Sequence, residues 1–401
     1  MESPDITFLT ADFPVFWEQA LGCLVTDVDG NTFLDATSSF GALGVGHRHP
    51  RVVAAIHEQA DRLIHGMGDV HPSDVKVLLL EKIAARAPIP SAGVILGQNG
   101  SDAVEAALKT AVLATGNPGV LAFQGGYHGL SYGALEITAR PFFREPFRGQ
   151  LGHFAQHLPF SCAIGEVREA ILRGGMPIGA VIVEPIQGRG GMCIPPAGWL
   201  AALRTLCTEF GVLLILDEIF TGWGRTGSWF ACEQEGVLPD LLCVGKGMGG
   251  GMPISACLGS QELLKSAWGE SAGEARHTST FLGHPLSCAA SLATIAVLEE
   301  EGLVARSAEV GKRLLAALQA LAGAYPEAIK EARGRGLMIG LEFHDSERAG
   351  RVVLSALRLG LIVLPAGDRG EVVEIVPPFV IDDEQADWCI EILAHCLKGA
   401  A

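Results

Sequence analysis

From residue 50 onward, short apolar runs alternate with stretches of helical periodicity, and this alternation limits the fold more than any other feature. The runs 94–97, 119–123, 180–184, 212–217, 241–245 and 254–258 are expected as strands. Helices are expected over 50–64, 102–114, 197–210, 284–300 and 304–323. Strands this apolar need cover on both faces, and alternating helices supply it over a mainly parallel sheet. After residue 300 the pattern changes. GLMIGLEF, GLIVLPAG and VVEIVPPFVI alternate with expected helices at 350–359 and 383–397, which reads as a smaller α+β lobe. Residues 20–36 alternate apolar and polar around Asp29-Gly30, a hairpin signal.

One apolar run, Leu241 to Val244, ends in Gly245, Lys246 and a cluster of glycines. An amine delivered there can be approached closely by a flat ligand. If its surroundings lower its pKa, it can form a Schiff base with an aldehyde. The run LLILDE (213–218) ends in carboxylates, with Asp217 first. A buried acid near a buried lysine points to pyridoxal 5′-phosphate (PLP), with the lysine on the aldehyde and the aspartate on the pyridinium nitrogen.

The neighbouring motifs occur in order: NGSDAVEAALKTA (99–111), GGYHG (125–129), VIVEPIQGRGG (181–191), the long run 216–259, HTSTFLGHPLSCAA (277–290) and GRGLMIGLEF (334–343). Together they closely resemble the class III aminotransferases, the PLP enzymes that include ornithine, acetylornithine and 4-aminobutyrate aminotransferases. The resemblance runs from about Val25 to about Ile381. It implies an α/β fold, PLP-dependent transferase fold type I. The large PLP-binding domain, 46–295, would carry a mainly parallel seven-stranded sheet. The small α+β domain would combine 1–45, including the hairpin, with 296–401.

The resemblance also assigns site residues. Gly100 and Ser101 look like the phosphate cradle, at a helix start whose free N–H groups favour an anion; from the residues alone the ordinary N-cap is the preferred reading. Tyr127 looks like the aromatic that stacks on the cofactor ring, with His128 alongside. Glu184 is either a polar support of the site or a strand-end carboxylate capping backbone. Asp217 sits where the family's pyridinium partner sits, and Lys246 where the Schiff base (internal aldimine) forms. Thr280 matches a threonine that reaches the phosphate of the neighbouring subunit, which implies a homodimer with shared active sites. Arg225 reads as a structural arginine tying loops together.

Three positions depart from the family. Leu130 replaces an arginine that grips a carboxylate, and Glu374 replaces one that binds the keto acid's α-carboxylate. Arg189 stands where a glutamate pairs with that second arginine. Arg189 and Glu374 therefore read either as a charge-reversed gate that binds substrate or as unrelated surface charges. A fourth change is Phe220, where amino-acid transaminases often carry a glutamine that reaches the cofactor's phenolic oxygen.

The expected function is aminotransfer from an amine or amino acid to a keto acid, by a ping-pong mechanism. An amino-acid racemase, epimerase or aminomutase of the same fold is the alternative, since it needs no separate acceptor site. A decarboxylating transaminase and a non-catalytic PLP-binding module rank below it. The net charge of −16 argues against a nucleic-acid partner. No apolar stretch reads as a membrane span, the N-terminal 17 residues lack signal-peptide character, and ten scattered cysteines without a C-x-x-C pair argue against a metal centre. Reduced, buried thiols fit a cytoplasmic protein.

Overall fold

A computed structural model describes residues 15–399. The reading of the first 14 residues therefore lies outside the described residues. The large sheet has seven strands, in chain order β1 (Ala92–Gly97), β2 (Gly119–Phe123), β3 (Ala155–Leu158), β4 (Ile178–Val183), β5 (Leu213–Asp217), β6 (Leu241–Val244) and β7 (Ser255–Ser260). Across the sheet they lie β1-β7-β6-β5-β4-β2-β3. β7 alone is antiparallel to its neighbours, so β1 and β6 on either side of it run the same way. The sheet is mainly parallel, as expected from the sequence. Every residue of β2, β4 and β6 is buried.

The six expected strands and seven expected helices are all present, with ends moved by a few residues. The helix read as 350–359 begins at Ser346, because Asp345 caps it by accepting a hydrogen bond from the Arg348 N–H at 2.7 Å. β3 had no clear apolar signal: it is a sheet edge with no fully buried residue. Residues 24–27 and 32–35 form the expected hairpin. Its second strand pairs in parallel with Leu361–Ile362, which brings the chain's beginning against its C-terminal part. A further antiparallel sheet joins Ile329–Arg335, Met338–Phe343, Val372–Ile375 and Leu364–Ala366. Among the described residues, no helix is long and apolar enough to cross a membrane. All ten cysteines are free thiols, nine of them buried.

Arg225 ties these parts together. It is 1% exposed. Its guanidinium donates to the Leu337 carbonyl at 2.9 Å, the Pro377 carbonyl at 2.7 Å and Ser38 Oγ at 3.2 Å, and it lies over the Phe379 ring at 4.5 Å. Burial pulls its pKa down to about 9, so it stays charged at neutral pH. Three separate segments thus close on one buried cation. Arg225→Ala leaves two buried carbonyls without their donor. It should cost about 3 kcal/mol or more in urea unfolding. A loss under about 1 kcal/mol would show that water replaces the guanidinium without penalty.

Candidate active site

Strands buried on both faces leave polar side chains to the strand ends, and ligands of parallel sheets collect at the carboxyl ends. Asp217 closes β5, Glu184 follows β4, the loop 124–130 follows β2 and Lys246 follows β6. The start of the antiparallel β7 lies on the same edge, opposite Gly97. There Ser255 Oγ donates to the Asn99 carbonyl at 2.6 Å and so fixes the turn that opens helix Gly100–Thr115.

Asp217 and Lys246 come together through neighbouring strands. Asp217 lies opposite Cys243, three residues before Lys246. The backbone at Lys246 adopts φ 45°, a left-handed conformation that costs a non-glycine residue energy and marks a constrained position. Burial lowers the pKa of its amine; Glu374, Glu184 and Asp217 oppose that shift, and Arg225 adds to it. The Nζ lies 3.9 Å from the centre of the Phe220 ring. That ring is wedged between Gly41 and Gly188, where a Cβ on either would overlap it. Both glycines are therefore demanded by Phe220. Gly41 also ends a run of four left-handed residues starting at Ser38.

Asp217 is 4% exposed. Its Oδ1 accepts from the Ile219 N–H at 3.1 Å, and its Oδ2 pairs with His128 Nδ1 at 2.7 Å. His128 is thus the residue that aims the carboxylate, a role more definite than its sequence position beside Tyr127 conveyed. Burial would lower the histidine's pKa, but the hydrogen bond and charge of Asp217, with the charge of Glu184, outweigh it and raise the value. The His128 N–H is held by Thr138 Oγ1 at 2.9 Å.

Glu184 caps backbone in two loops. Its Oε1 accepts from the Tyr127 N–H at 2.9 Å and its Oε2 from the Gly188 N–H at 3.0 Å, so it fixes two loops from within the cleft. Burial pushes its pKa up to about 7; His128 opposes this and Asp217 reinforces it. The Tyr127 ring meets Phe143 edge-on, with centroids 5.7 Å apart. Ser101, one residue into the helix, accepts the Leu130 N–H on its Oγ at 3.3 Å. A Cβ on Gly129 would overlap that hydroxyl, so the loop and the helix start are fitted to each other.

Glu374 and Arg189 lie in different surroundings. Glu374 is 6% exposed, so it is no surface charge. Arg189 is exposed, and its Nη1 donates to the Pro365 carbonyl at 2.7 Å. The two feel each other's charge but form no ion pair within 4 Å among the described residues. The guanidinium is anchored by one donor to a carbonyl of the 364–366 strand, which pairs with the strand that bears Glu374. Thr280 is exposed on a loop whose Ser279 accepts from Gln98 Nε2 at 2.7 Å, beside the cradle helix of the same chain.

The residues present fit PLP. A half-buried amine, a buried carboxylate oriented by histidine, an aromatic in a carboxylate-held loop and a helix start bearing a hydroxyl share one sheet edge. Lys246 would hold the aldehyde, Asp217 the pyridinium nitrogen, and Gly100 with Ser101 the phosphate. Sequence reasoning missed Phe220 as a neighbour of the amine and His128 as the partner of Asp217. The short spacing from Asp217 to Phe220 was the available signal for the first.

Burial pushes the Glu374 carboxyl up to about 7 from 4.5, against the charges of Lys246, Arg189 and Arg225. Between those values the folded chain holds the extra proton, so Glu374 makes stability fall as pH rises through that window. Glu374→Gln removes the effect, whereas Glu184 remains in both proteins and cancels. The melting temperature of the apoprotein variant, relative to wild type, should climb from pH 4.5 to 7 and then level off. A constant difference over that range would show that Glu374 ionises without cost.

The family model for class III aminotransferases matches residues 9–397. A transaminase from the marine bacterium Virgibacillus superposes with a TM-score of 0.92 at 26% identity, covering 98% of this chain and 96% of that one. Ornithine aminotransferase from Toxoplasma gondii ME49 gives 0.89 at 30% identity, with 98% and 93% covered. An amine transaminase from an uncultivated Pseudomonas species, solved in its PLP-bound form, gives 0.91 at 30% identity, with 100% and 99% covered. With a sheet edge that fits PLP and a family match over nearly its whole length, the chain belongs to the class III aminotransferases and is a PLP-dependent transaminase.

Proposed function

We propose that Lys246 and Asp217 carry the transamination, and that the other residues on the sheet edge position them. The observation that carries this reading is the presence of a half-buried amine and a buried, histidine-oriented carboxylate at the ends of adjacent strands. When bound, PLP supplies an electron sink for the bond broken at the amine-bearing carbon of the substrate. Asp217 keeps a negative charge where the ring nitrogen belongs, and His128 prevents that carboxylate from turning away. Lys246, its pKa lowered by burial, takes the proton from the substrate carbon and returns it as general base and then acid. Glu184 holds Tyr127 against the flat ligand through backbone bonds. The donor is an amine or amino acid and the acceptor a keto acid.

The active unit in this reading is a homodimer with shared sites. Leu63, Ile64, Met67, Val70 and Phe281 are all exposed, and the His65 ring lies tilted against Phe281 with centroids 5.1 Å apart. So much apolar surface around one loop supports burial by a second copy. The two-lobe division at 46–295, and a cytoplasmic location for a chain of ten free thiols, belong to the same reading.

The test is a half-reaction. Mixing the PLP enzyme with donor amines should change the cofactor's absorbance, and a keto acid should reverse it. A racemase would alter the donor's optical rotation with little net spectral change. Borohydride should fix the cofactor to the peptide bearing Lys246; a labelled peptide without Lys246 would falsify the assignment. Asp217→Asn should keep the fold and lower kcat strongly, because a neutral amide no longer holds the ring proton. For Thr280, dissociated and reassociated Lys246→Ala and Thr280→Ala subunits should recover activity above either parent. No recovery despite demonstrated exchange would place Thr280 in its own subunit's site, beside Gln98.

A further inference from the structure

Arg140 and Arg189 are anchored to carbonyls three residues apart, those of Asp368 and Pro365, and the charge of Arg140 acts on Arg189. Arg140 is half-buried and Arg189 exposed. Among the described residues, neither guanidinium is ion-paired with a carboxylate; both are held by carbonyls of one stretch of chain. Arg140 Nη2 donates to the Asp368 carbonyl at 2.7 Å, and Arg189 Nη1 to the Pro365 carbonyl at 2.7 Å. The Gly367 N–H donates to the Arg189 carbonyl at 3.0 Å, which locks that stretch to the loop after β4. Arg140 also leans on the Phe143 ring, 5.7 Å from its centroid, and that ring meets Tyr127 edge-on. The two cations therefore belong to the Tyr127 side of the cleft.

Two guanidiniums anchored to one short stretch of chain repel each other, and each carries five donors of which a carbonyl uses one. The arrangement holds free N–H groups and unneutralised charge in a fixed place. A bidentate anion satisfies both needs at once. Deeper in the cleft, Glu374 occupies a buried position and disfavours an anion beside it. We propose that Arg140 and Arg189 together form the carboxylate-binding site for the keto acid acceptor, replacing cations that Leu130 and Glu374 do not provide. The proposal rests on the transaminase reading and adds a residue, Arg140, and a ligand class to it.

The experiment compares wild-type PLP enzyme with Arg140→Gln and Arg140→Lys. Three quantities are measured: kcat and KM for a keto acid, the dissociation constant of glutarate as an unreactive dicarboxylate, and the half-reaction with an amine lacking any carboxylate. Arg140→Gln should raise KM for the keto acid and weaken glutarate about ten- to a hundredfold. The carboxylate-free amine should react within about twofold of wild type, since it uses no charge-assisted bond at this site. Arg140→Lys should recover part of the glutarate affinity by restoring the charge without the fork. Unchanged glutarate binding and unchanged KM in Arg140→Gln would overturn the proposal. So would an equal loss with the carboxylate-free amine, which would make Arg140 a brace for residues 365–368. Displacement of glutarate by inorganic phosphate at equal concentration would assign the pair to phosphate esters instead. Failure of the transaminase reading is separable: wild type would then react with no amine in the half-reaction.

Discussion

The large sheet is covered on both faces, and its central strands have no room for an unpaired polar group. Chemistry is therefore confined to one rim. β5 and β6 lie side by side in register, which delivers Asp217 and Lys246 to the same rim, with Asp217 opposite Cys243. The single antiparallel strand, β7, starts at that rim, where Ser255 bonds the turn before the cradle helix. The rim is thus assembled by backbone pairing first and refined by side chains second. That order explains why rigid elements carry the amine and the carboxylate, while loops carry the tyrosine and the arginines.

Burial at this rim costs charge, and the site offsets the cost by mixing signs. Lys246 and Arg225 are drawn down by burial, and Glu184 and Glu374 are drawn up to about 7. Each acid lowers the cost of a cation, and each cation that of an acid, although few of them touch. His128 and Asp217 are the exception, a contact pair at 2.7 Å. A network held by field rather than by contact leaves its members free to exchange a partner for substrate. The contact pair keeps fixed the one carboxylate whose direction has to stay constant.

The strands of the rim were legible because each is short, apolar and bounded by glycine or an acid. Asp217 and Lys246 were legible for the same reason: they are the first charges after such runs. The edge strand β3 was not, because an edge needs little apolar character. Partners across the sheet were not legible either. Nothing in the spacing of 89 residues ties His128 to Asp217; β2 and β5 do so with β4 between them. The Arg189–Glu374 gate shows the limit from the other side. Two substitutions of opposite sign suggested a direct pair; the guanidinium donates to the Pro365 carbonyl and makes no ion pair with Glu374 within 4 Å among the described residues.

Phe220 gives the rim a character of its own. At the position where a glutamine would offer hydrogen bonds, this chain places an aromatic face 3.9 Å from the amine of Lys246. An aromatic face attracts a cation but gives a neutral amine no acceptor. It therefore acts against the burial that lowers the lysine's pKa, and it does so without a hydrogen bond that would lock the amine in one direction. An amine that must alternate between holding a cofactor and moving a proton gains from that freedom. The ring also needs space on both sides, which Gly41 and Gly188 provide. Gly188 is bonded to Glu184, and Gly41 follows the strained turn that begins at Ser38, the residue bonded to Arg225. One aromatic substitution beside the catalytic amine is thus accommodated by glycines in two distant segments, and through them it is joined to the bonds that hold the two halves of the chain together.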